Sequence, residues 1–173
     1  MYHSNLNLKQ SQKFIEEHHR HSKPLKRHMF SIGAFQYPVS FGVVIPSEVL
    51  GVVTVDRCSS AWSKRRDHVE IRRLCVKPDV KKNVSSFLIG KARDACWAMG
   101  YKCIITYTKP NESGASLLAT GFVIQKVSRG LVQWCLAEGW GVAHPRSRGF
   151  TKRVIKQLRA LNEENASERL PDS

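Results

Sequence analysis

Acidic residues are scarce in this chain. It carries 14 Asp and Glu against 28 Lys and Arg, a formal net charge of +14 and a pI near 9.9. A field of that sign attracts polyanions: nucleic acid, acidic protein surfaces or a phosphorylated cofactor. Long apolar runs are missing too. No stretch approaches the roughly 18 residues a membrane-spanning helix needs, so no membrane partner is expected. The opening MYHSNLNLKQSQKF has no apolar core, so no secretory signal is read there and a cytoplasmic chain is expected. Paired cysteines are absent as well. Cys58, Cys75, Cys96, Cys103 and Cys135 are scattered, with no CxxC spacing, which excludes the usual zinc frameworks and fits reduced, packed thiols. There are no internal repeats and no low-complexity segment.

What is present suffices for one compact domain with a real core: 173 residues, 42% of them hydrophobic. The pattern predicts a helix over 8–21 with Ser11 as cap and Phe14 and Ile15 facing inward. Strands follow at 29–35, 39–45 and 50–56, an antiparallel meander. Residues 59–67 are a basic loop. Residues 69–76 are a strand, although neither alternate set is purely apolar. Val84, Phe87, Leu88, Ala92, Ala95, Cys96 and Met99 recur at helical spacing over 84–99, and Gly100 follows as a stop. A strand at 102–108, a short helix at 114–120 and a hairpin of 122–127 with 131–136 complete the order. Residues 144–159 hold six Lys or Arg and no acid, with an amphipathic helix inside them. The expected organisation is residues 1–143 as the folded domain and 144–173 as a basic C-terminal helix and tail.

The segment from His68 to Phe122 is the most informative. A strand feeding a helix N-terminus makes an anion site, because the first N–H groups of the helix lack partners and carry partial positive charge. Lys77–Ser86 (KPDVKKNVSS) sits at that junction. Asn83, Ser85 or Ser86 can cap the helix, and Lys81 and Lys82 add full charge. The alternative is a capped helix with solvated lysines. His18, His19 and His21 form the sharpest titratable cluster. At about 100° per residue, His18 and His21 share a helix face. Imidazoles there can act as base, acid or metal ligand, with Glu17 or Asp56 as an added carboxylate; the alternative is a polar helix end. Tyr107 ends a central strand and can donate a proton, or is a core tyrosine. Lys64, Arg65, Arg66, Arg146, Arg148, Lys152 and Arg153 can follow a phosphate backbone. Trp134 and Trp140 are core residues or stack on a base.

From Glu70 to Phe122 the chain resembles the GNAT superfamily of acyl-CoA N-acyltransferases. Val76-Lys77-Pro78 looks like the end of that family's fourth strand. Lys81–Ser86 stands in the place of its pyrophosphate loop. Gly100, Ile104–Tyr107, Asn111, Ala115 and Gly121-Phe122 follow at similar spacing. More narrowly, His18–His21 (HHRH), the Asn83–Ser86 turn, Ile104–Thr108 (IITYT) and Gly114–Phe122 (GASLLATGF) resemble phage and prophage GNAT-like proteins related to the Mom DNA-modification protein of bacteriophage Mu. The resemblance covers roughly residues 10–128.

It implies a single α/β domain with a mixed, mostly antiparallel sheet flanked by helices. It implies acetyl-CoA or another acyl-CoA as cofactor, held by Val76, Lys81, Lys82, Asn83, Ser85 and Ser86. It also implies DNA as partner, a base (adenine) as acceptor, His18, His21 and Tyr107 as the proton-handling set, iron as the metal to consider, and a host-cell cytoplasm as location. Two positions depart from the family. Val84 and Ser86 stand where small loop residues are usual, and Leu117 stands where a tyrosine general acid is common. An ordinary small-molecule or protein N-acetyltransferase and a non-catalytic basic DNA-binding module are the competing readings.

Overall fold

The structure, a computed structural model, describes residues 1–18, 23, 25–36, 48–59, 66–80, 83–128, 130–138, 149–157 and 160. The expected strand at 39–45 and the boundary at 143/144 lie outside them. In chain order the elements are β1 (Tyr2–Leu6), α1 (Leu8–His18), β2 (Phe30–Phe35), β3 (Val49–Arg57), β4 (His68–Val76), α2 (Val84–Ala98), β5 (Cys103–Thr108), α3 (Ala115–Ala119), β6 (Val123–Ser128) and β7 (Leu131–Ala137). A fourth helix, α4, runs over residues 149–157. The sheet order is β1-β2-β3-β4-β5-β7-β6. The pairs β1/β2, β2/β3, β3/β4 and β6/β7 are antiparallel. β4 and β5 run the same way: the Lys102 and Cys103 amides donate to the Asp67 carbonyl at 2.8 and 3.2 Å, so both strands start at one end. The fold class is therefore the expected one.

The chain divides into two compact units, Met1–Ile105 and Thr106–Ser173. In the first, α1 packs Phe14 and Ile15 against Leu6, Val52 and Cys75. Asn7, not Ser11, caps this helix. Asn7 Oδ1 accepts from the Gln10 amide, and Gln10 Oε1 accepts from the Asn7 amide, both at 2.9 Å, a reciprocal capping box. The Ser11 hydroxyl instead donates to the Leu8 carbonyl. The other sheet face is covered by α2 through Val84, Leu88, Ile89, Ala92 and Cys96. Gly51 permits that approach, since a Cβ there would lie 2.9 Å from Val76 and 3.0 Å from Leu88. α2 ends as expected at Gly100, with φ +83.

β4 carries one residue too many for β3. Thr54 pairs with Arg73 and Val55 with Ile71, so Arg72 is bulged out of the ladder. The bulge explains why alternation along 69–76 gave no apolar side. Through their β3 partners, Glu70, Arg73 and Cys75 share a face with Val52, Thr54 and Asp56, while Ile71, Leu74 and Val76 point to the α2 side.

In the second unit, β6 and β7 form the expected hairpin. Trp134 is its buried anchor: its indole N–H donates to Thr108 Oγ1 at 2.9 Å. Gly114 opens α3 at φ +60 directly against that ring. Trp134 is thus a packing residue and not a stacking platform; Trp140 lies outside the described residues. α4 is tied to β6 by a buried hydrogen bond, the Ile124 amide donating to Thr151 Oγ1 at 2.9 Å.

Candidate functional site

The site begins where β4 runs into α2. Val76 ends the strand, and Asn83 is the residue before the helix, with φ 79 and ψ 0 and no hydrogen bond from its side chain to the first turn. The expected side-chain cap at Asn83 is therefore not made. What Asn83 supplies is backbone geometry. It is the one non-glycine with positive φ among the described residues, in a region Asn tolerates better than most side chains. A left-handed residue leading into right-handed ones turns successive N–H groups toward one side, a concavity suited to an anion. The first bond into the helix is Phe87 N–H to the Asn83 carbonyl, 2.9 Å. The amides of Val84, Ser85 and Ser86 have no acceptor within the helix. Val84 does not stand in their way: its side chain is 1% exposed and belongs to the core. Ser85 and Ser86 are half-buried. Lys81 and Lys82 lie outside the described residues.

Around this junction stand further charged and aromatic groups, of which Glu48, Phe87, His3 and Lys91 were not expected as site residues. Lys77 is paired with Glu48. The hydrogen bond from Lys77, then its charge, hold the Glu48 carboxyl below its ordinary value, and His18 adds to the effect. His18 is the last residue of α1. It also packs on Phe14 at 4.6 Å between ring centroids and stands 3.8 Å from the Glu17 carboxylate. His21 lies outside the described residues. On the first turn of α2, Phe87 meets the His3 ring edge-on at 6.2 Å and the Lys91 ammonium at 5.8 Å.

Further down β4, on its α1 side, two buried carboxylates face each other across the ladder, Asp56 opposite Glu70. Glu70 accepts from the Ser59 amide and hydroxyl at 2.9 and 3.1 Å and lies 3.4 Å from the Arg72 guanidinium. Asp56 accepts from the Arg57 amide at 2.8 Å, with Arg27 at 4.0 Å. The Thr54 hydroxyl, on the same face, is buried with no hydrogen-bond partner among the described residues. Burial pushes the neighbouring His28 ring below its ordinary pKa, with Asp56 opposing. Sequence reasoning named Asp56 only as a spare ligand and missed Glu70 as a site residue, because their meeting depends on cross-strand register.

Tyr107 is half-buried near the end of β5, in the second unit. Arg66, Lys152 and Arg153 are exposed, while Lys64, Arg65, Arg146 and Arg148 lie outside the described residues. Among the described residues no three His, Cys, Asp or Glu come together as a metal site, so none places iron. All five cysteines are free and buried. Burial, with the Glu70 charge adding, pushes the Cys58 thiol up to about 12, and burial alone does the same for Cys96. No helix among the described residues is long and apolar enough to cross a membrane.

No family model and no curated protein sequence matches the chain. Solved structures do. An IAA acetyltransferase from Bacillus cereus is 14% identical with a TM-score of 0.55, over 79% of this chain and 98% of that one. A Bacillus subtilis acetyltransferase in complex with CoA is 17% identical with a TM-score of 0.52, over 78% and 97%. The NatC complex bound to Gag peptide and CoA matches at 14% identity and a TM-score of 0.56, over 79% and 97%. Against a PaiA N-acetyltransferase from Thermoplasma acidophilum the TM-score is 0.47 and the chain spans 59% of that protein's length. At these identities the likeness is one of fold: the chain shares the α/β fold of these acetyltransferase structures.

Proposed function

We propose that this protein is an acyl-CoA-dependent N-acyltransferase whose acceptor is a base of nucleic acid, DNA adenine by resemblance to the Mom-related group. The observation that carries the acyl-CoA half is the left-handed Asn83 opening α2 at the end of β4. It supports a row of amides able to hold a pyrophosphate without the usual glycines. Two neighbours of the same fold were solved with CoA. When bound, acyl-CoA would supply an activated thioester, whose C–S bond would break as the acceptor nitrogen forms the new C–N bond, with the proton lost by that nitrogen going to the departing thiolate. The residues here would do the rest. The amides of Val84, Ser85 and Ser86 would bind the pyrophosphate. The interrupted ladder at Arg72 would offer backbone to the acyl carbonyl. His18, His21 and Tyr107 are the proposed proton carriers. The nucleic-acid half rests on the net charge of +14 and on the basic residues named above. A base acceptor would have to leave the duplex stack to react.

Calorimetric titration of CoA tests the first half. Wild type should bind, and Ser86→Glu, which sets a carboxylate against the pyrophosphate, should weaken binding at least about tenfold. No wild-type binding would sink it. Mass spectrometry of nucleosides from cells expressing wild type, His18→Ala or His21→Ala tests the second half: a new nucleoside mass is expected with wild type alone. A second reading, transfer to a cationic amine on a peptide or small molecule, is favoured by one observation, the buried Asp56 and Glu70 facing each other. Acyl transfer to such amines with no new nucleoside would select it.

A further inference from the structure

We propose that the outward face of α4 is a docking surface for the phosphate backbone of duplex nucleic acid. This rests on the nucleic-acid half of the reading above and is independent of cofactor binding.

Residues 149–157 (GFTKRVIKQ) contain three cations and no acid. The helix is not a loose basic tail. Thr151 is 3% exposed and its hydroxyl accepts the Ile124 amide of the edge strand β6; Val154 is buried beside it. At about 100° per residue these inward positions orient the rest. Lys152, Lys156 and Arg153 then fall within about 100° of arc, on the side turned away from Thr151. All three are exposed. They lie within about 6 Å along the helix axis, facing a partner that carries one charge per roughly 1.7 Å. Lys126, two residues beyond Ile124 on the same edge strand, is exposed as well.

The choice of partner follows from what the helix has left to offer. A membrane-surface helix needs an apolar face to bury in lipid. Here Val154 and Ile155 are turned inward with Thr151, Val154 buried and Ile155 half-buried, which leaves Phe150, 39% exposed on the flank of the helix, as a single apolar residue and not an apolar face. A cationic helix face anchored through Thr151 suits a rigid polyanion, which it can engage through its phosphates alone.

The test is fluorescence anisotropy of a labelled 20-base-pair DNA duplex with the full-length chain across a KCl series. Two triple variants of equal net charge are compared: Lys152→Gln/Arg153→Gln/Lys156→Gln, and Lys9→Gln/Lys13→Gln/Lys26→Gln on the exposed part of the first unit. The α4 triple should lower the slope of log K against log[KCl] by about 2 to 3, since each phosphate left without its cation removes about 0.9. The control triple should leave it within about 0.5 of wild type. Equal slopes for the two triples, an unchanged slope for the α4 triple, or no wild-type binding at low salt would each overturn the proposal. So would loss of binding by the α4 triple to vesicles of phosphatidylglycerol and phosphatidylcholine with duplex binding intact. CoA titration of the same variants should be unchanged, so failure of the cofactor reading would show separately.

Discussion

At Asn83 one backbone torsion decides whether the start of α2 presents its amides to an anion. Left-handed backbone costs an ordinary L-residue about 1–2 kcal/mol, and glycine adopts it freely. Asn83→Gly should therefore keep the fold within about 1 kcal/mol of wild type and keep CoA affinity. Asn83→Val should lose about 1–2 kcal/mol in urea denaturation and weaken CoA binding as the junction rearranges. Equal behaviour of the two variants would show that the torsion is not what holds the site. Gly114 is less forgiving. A Cβ there would sit 2.4 Å from Cζ2 of Trp134, at φ +60. Gly114→Ala should cost about 2–4 kcal/mol, combining strain and overpacking, with a visible change in near-UV circular dichroism from the displaced indole.

At the scale of elements, the sequence was legible wherever one side of a segment was consistently apolar. α2, β5 and the β6–β7 hairpin lie within a residue or two of their expected bounds, because α2 buries a regular stripe, β5 and β7 are short, almost continuously buried runs, and Gly130, at φ +71, marks the turn of the hairpin. β1 was not legible: three of its five residues, His3, Ser4 and Asn5, are exposed at the sheet edge, so only Leu6 marks it. β4 was half legible. The strand was expected, but the bulge at Arg72 switches which residues face α1, and a single-chain pattern cannot reveal a pairing set by Thr54 and Val55 on another strand. The same reason separates the two parts of the candidate site. The strand-to-helix junction is local and was readable from Lys77–Ser86; the facing of Asp56 and Glu70 is not local and was missed. α4 was expected as an amphipathic helix, yet nothing local announced that Thr151 would bind the Ile124 amide. Thr151→Val should strand that buried N–H and cost about 1–3 kcal/mol. Hydrogen exchange should then quicken at Ile124 and along α4 and leave α2 unchanged. Uniform quickening would mean instead that the substitution loosens the whole molecule.

For the molecule as a whole, buried titratable groups set the pH range over which the fold holds. His28 is kept below 6.5 by burial despite Asp56. The unfolded chain therefore takes up that proton first as pH falls through 6.5, and stability declines there. The alkaline side is governed by the thiols. Cys58 and Cys96 are raised from 9.0 to about 12, so between those values the unfolded chain has lost protons that the folded chain keeps. Their stabilisation is complete below pH 9 and disappears as pH rises toward 12. At pH 10 Cys58 and Cys96 should accordingly add thiolate absorbance near 240 nm only when the protein unfolds, and the urea midpoint should fall above pH 9. Cys96→Ala removes one of these groups with a small loss of volume, so it should lower stability at pH 7 yet flatten the alkaline decline. The gap between variant and wild type should narrow as pH rises. A gap that stayed constant from pH 7 to 11 would mean that the Cys96 thiol ionises alike in the folded and unfolded chain, and that the alkaline limit lies elsewhere, in lysine or tyrosine titration.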